Sequence, residues 1–114
     1  MVVVGIGTDL AYIPKIEKLL KDESATKRVF HPSELKDTRP EHLAGVFAAK
    51  EAFFKALKKT PDWLAVEVAT KENGEPELKL MENGDYCNPN LKPMLSISHD
   101  GDYAMAVVIL ARKK

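Results

Sequence analysis

The sequence predicts an α+β fold: a compact single domain in which a largely antiparallel sheet packs against one long central helix and shorter helices. Three observations predict it. A β-branched run opens the chain, helical periodicity follows, and the later apolar runs alternate with turn residues at strand spacing. With 114 residues there is room for one packed domain, residues 1–114, and not for two.

Taken in order, Val2 to Gly7 reads as a buried strand that ends at Thr8-Asp9, a carboxylate at a strand terminus being a common place for a site. Ile13, Ile16, Leu19 and Leu20 then recur at helical spacing, and Pro14 is tolerated in a first turn. They predict an amphipathic helix from about Ala11 to Lys21 whose outer face carries Lys15, Lys18 and Lys21. Phe30-His-Pro-Ser-Glu-Leu35 reads as a chain reversal into a short helix, and Asp37 to Pro40 as a loop. The longest helical candidate, rich in alanine and leucine, runs from about Glu41 to Lys59. Leu64 to Thr70 and Glu77 to Met81 read as strands joined through the turn signal Asn73-Gly74. After a turn-rich loop from Glu82 to Lys92, Met94 to Ser98 and Tyr103 to Ala111 form a predicted hairpin. Gly101 in its turn takes a positive φ at little cost.

Seventeen basic and 17 acidic residues cancel, so the overall charge gives no sign of a nucleic-acid partner and leaves recognition to local patches. Cys87 is the lone cysteine and has no intrachain partner for a disulfide, which fits a reducing, cytoplasmic setting. The first apolar run has no basic region before it and meets Asp9 early, so neither a signal peptide nor a membrane span is expected.

From Leu43 to Leu57 the only charged side chains are Lys50, Glu51 and Lys55. At 100° per residue, Leu43, Val46, Phe47, Phe53, Phe54 and Leu57 fall on one broad stripe, with Ala44, Ala48, Ala52 and Ala56 on most of the opposite side. Such a helix expects neighbours nearly all round, and its clustered charges point to a lined cleft or a subunit interface. Each polar residue also has a plain structural reading. Glu51 and Lys55 are spaced for a helical ion pair, and Lys50 can lay its methylenes on the core with its ammonium in water. Asp9 can cap the following helix, and His99 can hydrogen-bond within a turn. Gly5-Ile-Gly7 lacks the third glycine of a dinucleotide fingerprint and the Gly-Lys-Ser/Thr of a P-loop, so neither motif is supported.

Three segments in order carry more than any one of them alone: Gly5-Ile-Gly-Thr-Asp9, then Phe47-Ala-Ala-Lys-Glu51-Ala-Phe-Phe-Lys55-Ala-Leu57, then Ser96-Ile-Ser-His99 followed by Asp102-Tyr-Ala-Met-Ala-Val-Val108. They resemble the three signatures of the holo-acyl-carrier-protein synthases, the short single-domain 4′-phosphopantetheinyl transferases. Arg28-Val-Phe-His-Pro-Ser-Glu-Leu35 and Leu43-Ala-Gly45 resemble family segments between the first two signatures. The resemblance implies transfer of phosphopantetheine from coenzyme A to a serine of apo acyl carrier protein, with release of 3′,5′-ADP. It also implies Mg²⁺ as cofactor and a homotrimer with the cleft between subunits. It assigns Asp9 and Glu51 to the metal, Lys55 to the coenzyme A phosphates, and Ser98 and His99 to the coenzyme A side of the cleft. Glu51 and Lys55 would then carry the chemistry.

Acyl carrier proteins are acidic, so Lys15 and Lys18, with Lys21, Lys27 and Arg28 nearby, form the expected docking surface. The alanine-rich side of the long helix is the expected place for part of a subunit contact. The chain departs from the resemblance at Val46, where the family commonly has arginine, and at Lys58-Lys-Thr-Pro61, where it usually has Gly-Thr-Gly. Asp100 stands where threonine is common. These departures leave one alternative open: a non-catalytic relative that binds a carrier protein or nucleotide without transfer.

Overall fold

The computed structural model describes residues 1–82 and 84–113. Asn83, in the loop read as turn-rich, and Lys114, at the end of the predicted domain, lie outside the described residues. In order, the chain forms β1 (Val2–Tyr12), α1 (Ile13–Leu20), α2 (Glu23–Val29), a 3₁₀ turn (Glu34–Lys36), α3 (Pro40–Leu57) and a second 3₁₀ turn (Trp63–Ala65). The strands β2 (Val66–Thr70), β3 (Pro76–Leu80), β4 (Leu91–Asp100) and β5 (Tyr103–Arg112) follow. One antiparallel sheet has the order β1-β5-β4, and β2 and β3 make a second antiparallel pair. Among the described residues no helix is long and apolar enough to cross a membrane.

The α+β class stands, and β1 differs from its expected extent. It runs on through Tyr12, pairing Asp9 with Ala106 and Tyr12 with Tyr103, so Asp9 lies inside a strand and does not cap α1. Residue Tyr12 holds that cap position, without a side-chain bond. Nor is β1 buried on both faces: Gly7 and Ala11 are covered, while Ile6 and Leu10 are 68 % and 62 % exposed. Helix α2 has no apolar periodicity to announce it in the sequence. Its signals are local, since the Asp22 carboxylate accepts from the Ala25 N–H, Glu23 sits in the first turn and Lys27 and Arg28 in the last. The β4–β5 hairpin closes as expected at Gly101, with φ +58°, and the β2–β3 turn at Gly74, with φ +91°.

Helix α3 is the axis of the core, and its alanine side faces its own sheet. Ala44, Ala48, Ala49 and Ala52 are fully buried within one chain, as are Ala104 and Ala106 on β5. A β-carbon at Gly7 would lie 1.9 Å from the Ala52 carbonyl oxygen, and one at Gly5 would lie 2.4 Å from that of Ala56. Helix and strand backbones therefore touch where all side chains are small. The expectation of a subunit contact on that side is overturned: the alanines are used inside the chain. On the other side Phe53 and Phe54 are fully buried and meet edge to face, 5.0 Å between centroids, each burial contributing about 2–3 kcal/mol. Helix α3 ends in a Schellman arrangement, with the Lys58 N–H bonded to Lys55 O and the Lys59 N–H to Phe54 O. Lys58 takes a left-handed φ of +60° there.

Candidate active site

Close packing of β1 on α3 decides which polar groups meet. Alternation along β1 puts Asp9 on the same face as Gly7 and Ala11, toward α3. Across from it, Glu51 projects from the middle of α3, and both line one cavity of about 690 Å³. The remaining wall is largely apolar, built from α1 through Ile16 and Leu19, from Val29, and from Phe47, which stacks on Trp63 with centroids 4.8 Å apart. Tyr12 and Tyr103, 5.2 Å apart, form another side.

Lys55 joins this group through Asp9. Its Nζ donates to Asp9 Oδ1 at 3.1 Å and to the Thr8 carbonyl oxygen at 3.1 Å. The helical pair expected between Glu51 and Lys55 does not form among the described residues, because Lys55 reaches across to the strand. Partial burial raises the Glu51 carboxyl above its ordinary pKa, the charge of Asp9 pushes it the same way, and Lys55 works against both. Two carboxylates held beside one opening, Glu51 lifted by its burial and then by the charge of Asp9, make a site that favours a cation.

Among the described residues no group of three or more His, Cys, Asp or Glu side chains is placed to hold a metal ion by itself. Mg²⁺ asks for less. It binds through one or two carboxylates together with water and substrate phosphate oxygens, so Asp9 and Glu51 fit it in donor type and number.

Lys50 contradicts its sequence reading. Its ammonium does not reach water but is fully buried, donating to Glu34 Oε1 at 2.7 Å and to the Val29 carbonyl oxygen at 2.7 Å. Burial lowers its pKa, opposed by the charge and hydrogen bond of Glu34. Sequence reasoning missed Glu34 altogether. The available signal was a lysine inside an apolar stripe, which needs a buried anion whenever it cannot reach solvent.

Ser98 and His99 lie elsewhere in the chain. They are consecutive on β4 and so point to opposite faces of the sheet, paired with Met105 and Ala104. His99 lines a separate cavity of about 220 Å³ with Arg39, His42, Val46 and Ile97, and this cavity shares no lining residue with the one at Asp9 and Glu51. Arg39 grips Asp37, donating from Nη2 at 2.7 Å and Nε at 3.0 Å, and holds that carboxyl well below the usual range. Of the residues expected to dock a partner, Lys15 lines the larger cavity and Lys18 is exposed beside it on α1. Arg28 is exposed on α2 and bonds the Ser24 hydroxyl at 2.8 Å.

Known proteins are similar to this chain in both sequence and fold. A holo-[acyl-carrier-protein] synthase of Geobacter sulfurreducens is 36% identical over 124 residues, covering 96% of this chain and 98% of that protein. The crystal structure of a holo-(acyl-carrier-protein) synthase from Bacillus anthracis in complex with CoA (3′,5′-ADP) superposes with a TM-score of 0.83 at 31% identity, covering 99% of this chain and 100% of the other. An ACPS–CoA complex from Chronobacterium ammoniagenes gives 0.78 at 34% identity, with 96% and 98% covered. The family description ACPS, 4′-phosphopantetheinyl transferase superfamily, matches residues 5–108, nearly the whole chain. With a family description matching residues 5–108, a relative at 36% identity across nearly both whole chains and a fold superposing at a TM-score of 0.83, the chain belongs to the 4′-phosphopantetheinyl transferase superfamily.

Proposed function

We propose that this chain transfers the 4′-phosphopantetheine group of coenzyme A to a serine of apo acyl carrier protein and releases 3′,5′-ADP. The observation that carries the reading is the shared cavity of Asp9 and Glu51, 42 positions apart in sequence, with Lys55 bonded to Asp9. Asp9 and Glu51 would hold Mg²⁺, which when bound neutralises diphosphate charge and orients its oxygens. The serine hydroxyl oxygen attacks the phosphorus that carries pantetheine. A new P–O bond forms while the bond from that phosphorus to the bridging oxygen breaks, and the bridging oxygen leaves with 3′,5′-ADP. Glu51, or a water it orients, takes the serine proton. Lys55 offsets negative charge gathering on the leaving phosphate.

The 3₁₀ and helix ends refine the departures noted above. Because the N–H groups of Lys58 and Lys59 are already bonded to α3 carbonyls, this loop offers coenzyme A side-chain charge in place of backbone donors. The partner reading rests on Lys15, which lines the cavity, and Lys18, exposed three residues on along α1, whose charges suit an acidic carrier protein. A Lys15→Glu/Lys18→Glu variant should lose carrier affinity while coenzyme A binding by calorimetry stays the same; equal carrier affinity would remove the docking assignment.

The proposed assembly is a homotrimer built on the open face of the β1-β5-β4 sheet. Ile6, Leu10, Tyr103 and Met105 stand 42–68 % exposed there, an apolar patch of the kind that marks an interface. Ser98, paired with Met105, lies on that same open face, so such packing would turn it toward a neighbouring subunit, whereas His99 stays on the α3 side. Mass spectrometry of apo carrier protein incubated with this protein, coenzyme A and Mg²⁺ tests the function. A phosphopantetheine mass increment is expected with the natural sequence and is lost with Glu51→Ala; no increment with the natural sequence would leave the binding-only relative as the reading.

A further inference from the structure

Lys50 and Glu51 are adjacent on α3 and point about 100° apart. Glu51 lines the cleft while Lys50 enters the core. Around the buried Lys50–Glu34 pair, every polar atom is engaged. Glu34 Oε1 accepts from Lys50 and from the His31 N–H at 2.7 Å, and Oε2 accepts from the Val68 N–H at 2.8 Å. Lys50 Nζ also holds the Val29 carbonyl oxygen and stands 5.7 Å from the centre of the Phe30 ring. One ion pair thus ties α3, the end of α2, the His31–Glu34 turn and strand β2 together. Val29, on the other end of the Lys50 bond, lines the same cleft as Glu51.

Apart from the half-exposed Lys55, whose Nζ bonds Asp9 and the Thr8 carbonyl oxygen, the rest of the sheet's grip on α3 is apolar. Ala52 and Ala56 lie against Gly7 and Gly5 on the sheet, an apolar contact that resists separation but has no direction of its own. Hydrogen bonds of 2.7 Å do have direction. Stability alone explains the pair poorly, since apolar residues of similar volume often replace a buried ion pair at no loss. We propose that Lys50 and Glu34 are positioning residues, which set the rotation of α3 and its distance from the Val29 wall and so place Glu51 for transfer. The inference rests on the transfer function proposed above, and the natural sequence serves as the control that separates the two.

Kinetics of the Lys50→Met/Glu34→Gln variant provide the test, with thermal unfolding run on the same sample. The expected result is a Tm within a few degrees of the natural protein, a kcat lower by roughly tenfold to a hundredfold, and a KM for coenzyme A within about threefold. A purely structural role would lower Tm and leave the kcat of the folded fraction intact, and that result overturns the inference. Absence of transfer by the natural sequence overturns the function and the inference with it. Should the double variant fail to fold, Glu34→Asp keeps the charge and shortens its reach. A kcat loss of about threefold or more in that folded variant supports positioning, and an unchanged kcat rejects it.

Discussion

Along β1 and β5 the two faces of the β1-β5-β4 sheet invert the usual distribution of size. Toward α3 stand Gly5, Gly7, Ala11, Ala104 and Ala106, all small, with Val108 and Leu110 toward one end. Away from it stand Ile6, Leu10, Tyr12, Tyr103 and Met105, all large and all at least 39 % exposed in the single chain. A chain built only to be stable alone would place its large apolar groups inside, where each contributes about 1.5–3 kcal/mol. The inversion indicates that the two faces answer different demands. Small residues on the closed face bring backbones together and set Asp9 against Glu51; large residues on the open face await cover.

The sharpest way to break the closed face is Gly7→Ala. Its new methyl would sit 1.9 Å from the Ala52 carbonyl oxygen and 2.8 Å from the Ala56 nitrogen, both backbone atoms that cannot swing aside. The helix must lift from the sheet. A loss of about 3 kcal/mol or more is expected, lowering Tm on the order of 15 °C, with transfer lost as Asp9 and Glu51 part. A folded Gly7→Ala protein of unchanged Tm and kcat would show that close approach is not what the glycines provide.

The same inversion explains what could be read in advance. The site was legible where chemistry is carried by rare residues: three charges in an apolar helix single out Glu51 and Lys55, and the carboxylate after a β-branched run singles out Asp9. Small residues are ambiguous in a way that charges are not. An alanine side on a helix suits a neighbouring subunit as well as a sheet of the same chain, and only the facing Gly5, Gly7, Ala104 and Ala106 decide for the sheet. Strand β1 outruns its sequence signal because Asp9 and Pro14 look like a helix start, whereas pairing with β5 out to Tyr103 holds Leu10 to Tyr12 extended. Tertiary pairing overrides the local signal. Glu34, the partner of Lys50, was out of reach because a contact across 16 positions leaves no periodicity.

On the open face, Ile6→Lys/Leu10→Lys sharpens the comparison. Both positions are more than 60 % exposed in the single chain, so the fold of each subunit should change by no more than about 0.5 kcal/mol. Assembly should not survive, since lysines placed in a formerly apolar contact are desolvated without a partner charge. Sedimentation equilibrium is expected to give a trimer mass for the natural protein and a monomer mass for the variant, with transfer lost alongside. A natural protein that sediments as a monomer would refute the cover assigned to this face.

The smallest expected effect lies at the end of α3, away from both faces. Lys58 holds φ +60° as the left-handed residue of the Schellman turn, a conformation that costs an L side chain roughly 1–2 kcal/mol and glycine almost nothing. Part of that gain is returned by the greater freedom of glycine in the unfolded chain, so Lys58→Gly should stabilise by about 1 kcal/mol and raise Tm by roughly 4–8 °C. Lys58→Ala removes the same charge but keeps the strain. A Tm rise seen with glycine and absent with alanine therefore belongs to the backbone, while any increase in the KM for coenzyme A common to both variants belongs to the lost ammonium. Equal Tm for the two would mean that the left-handed turn is not strained in solution.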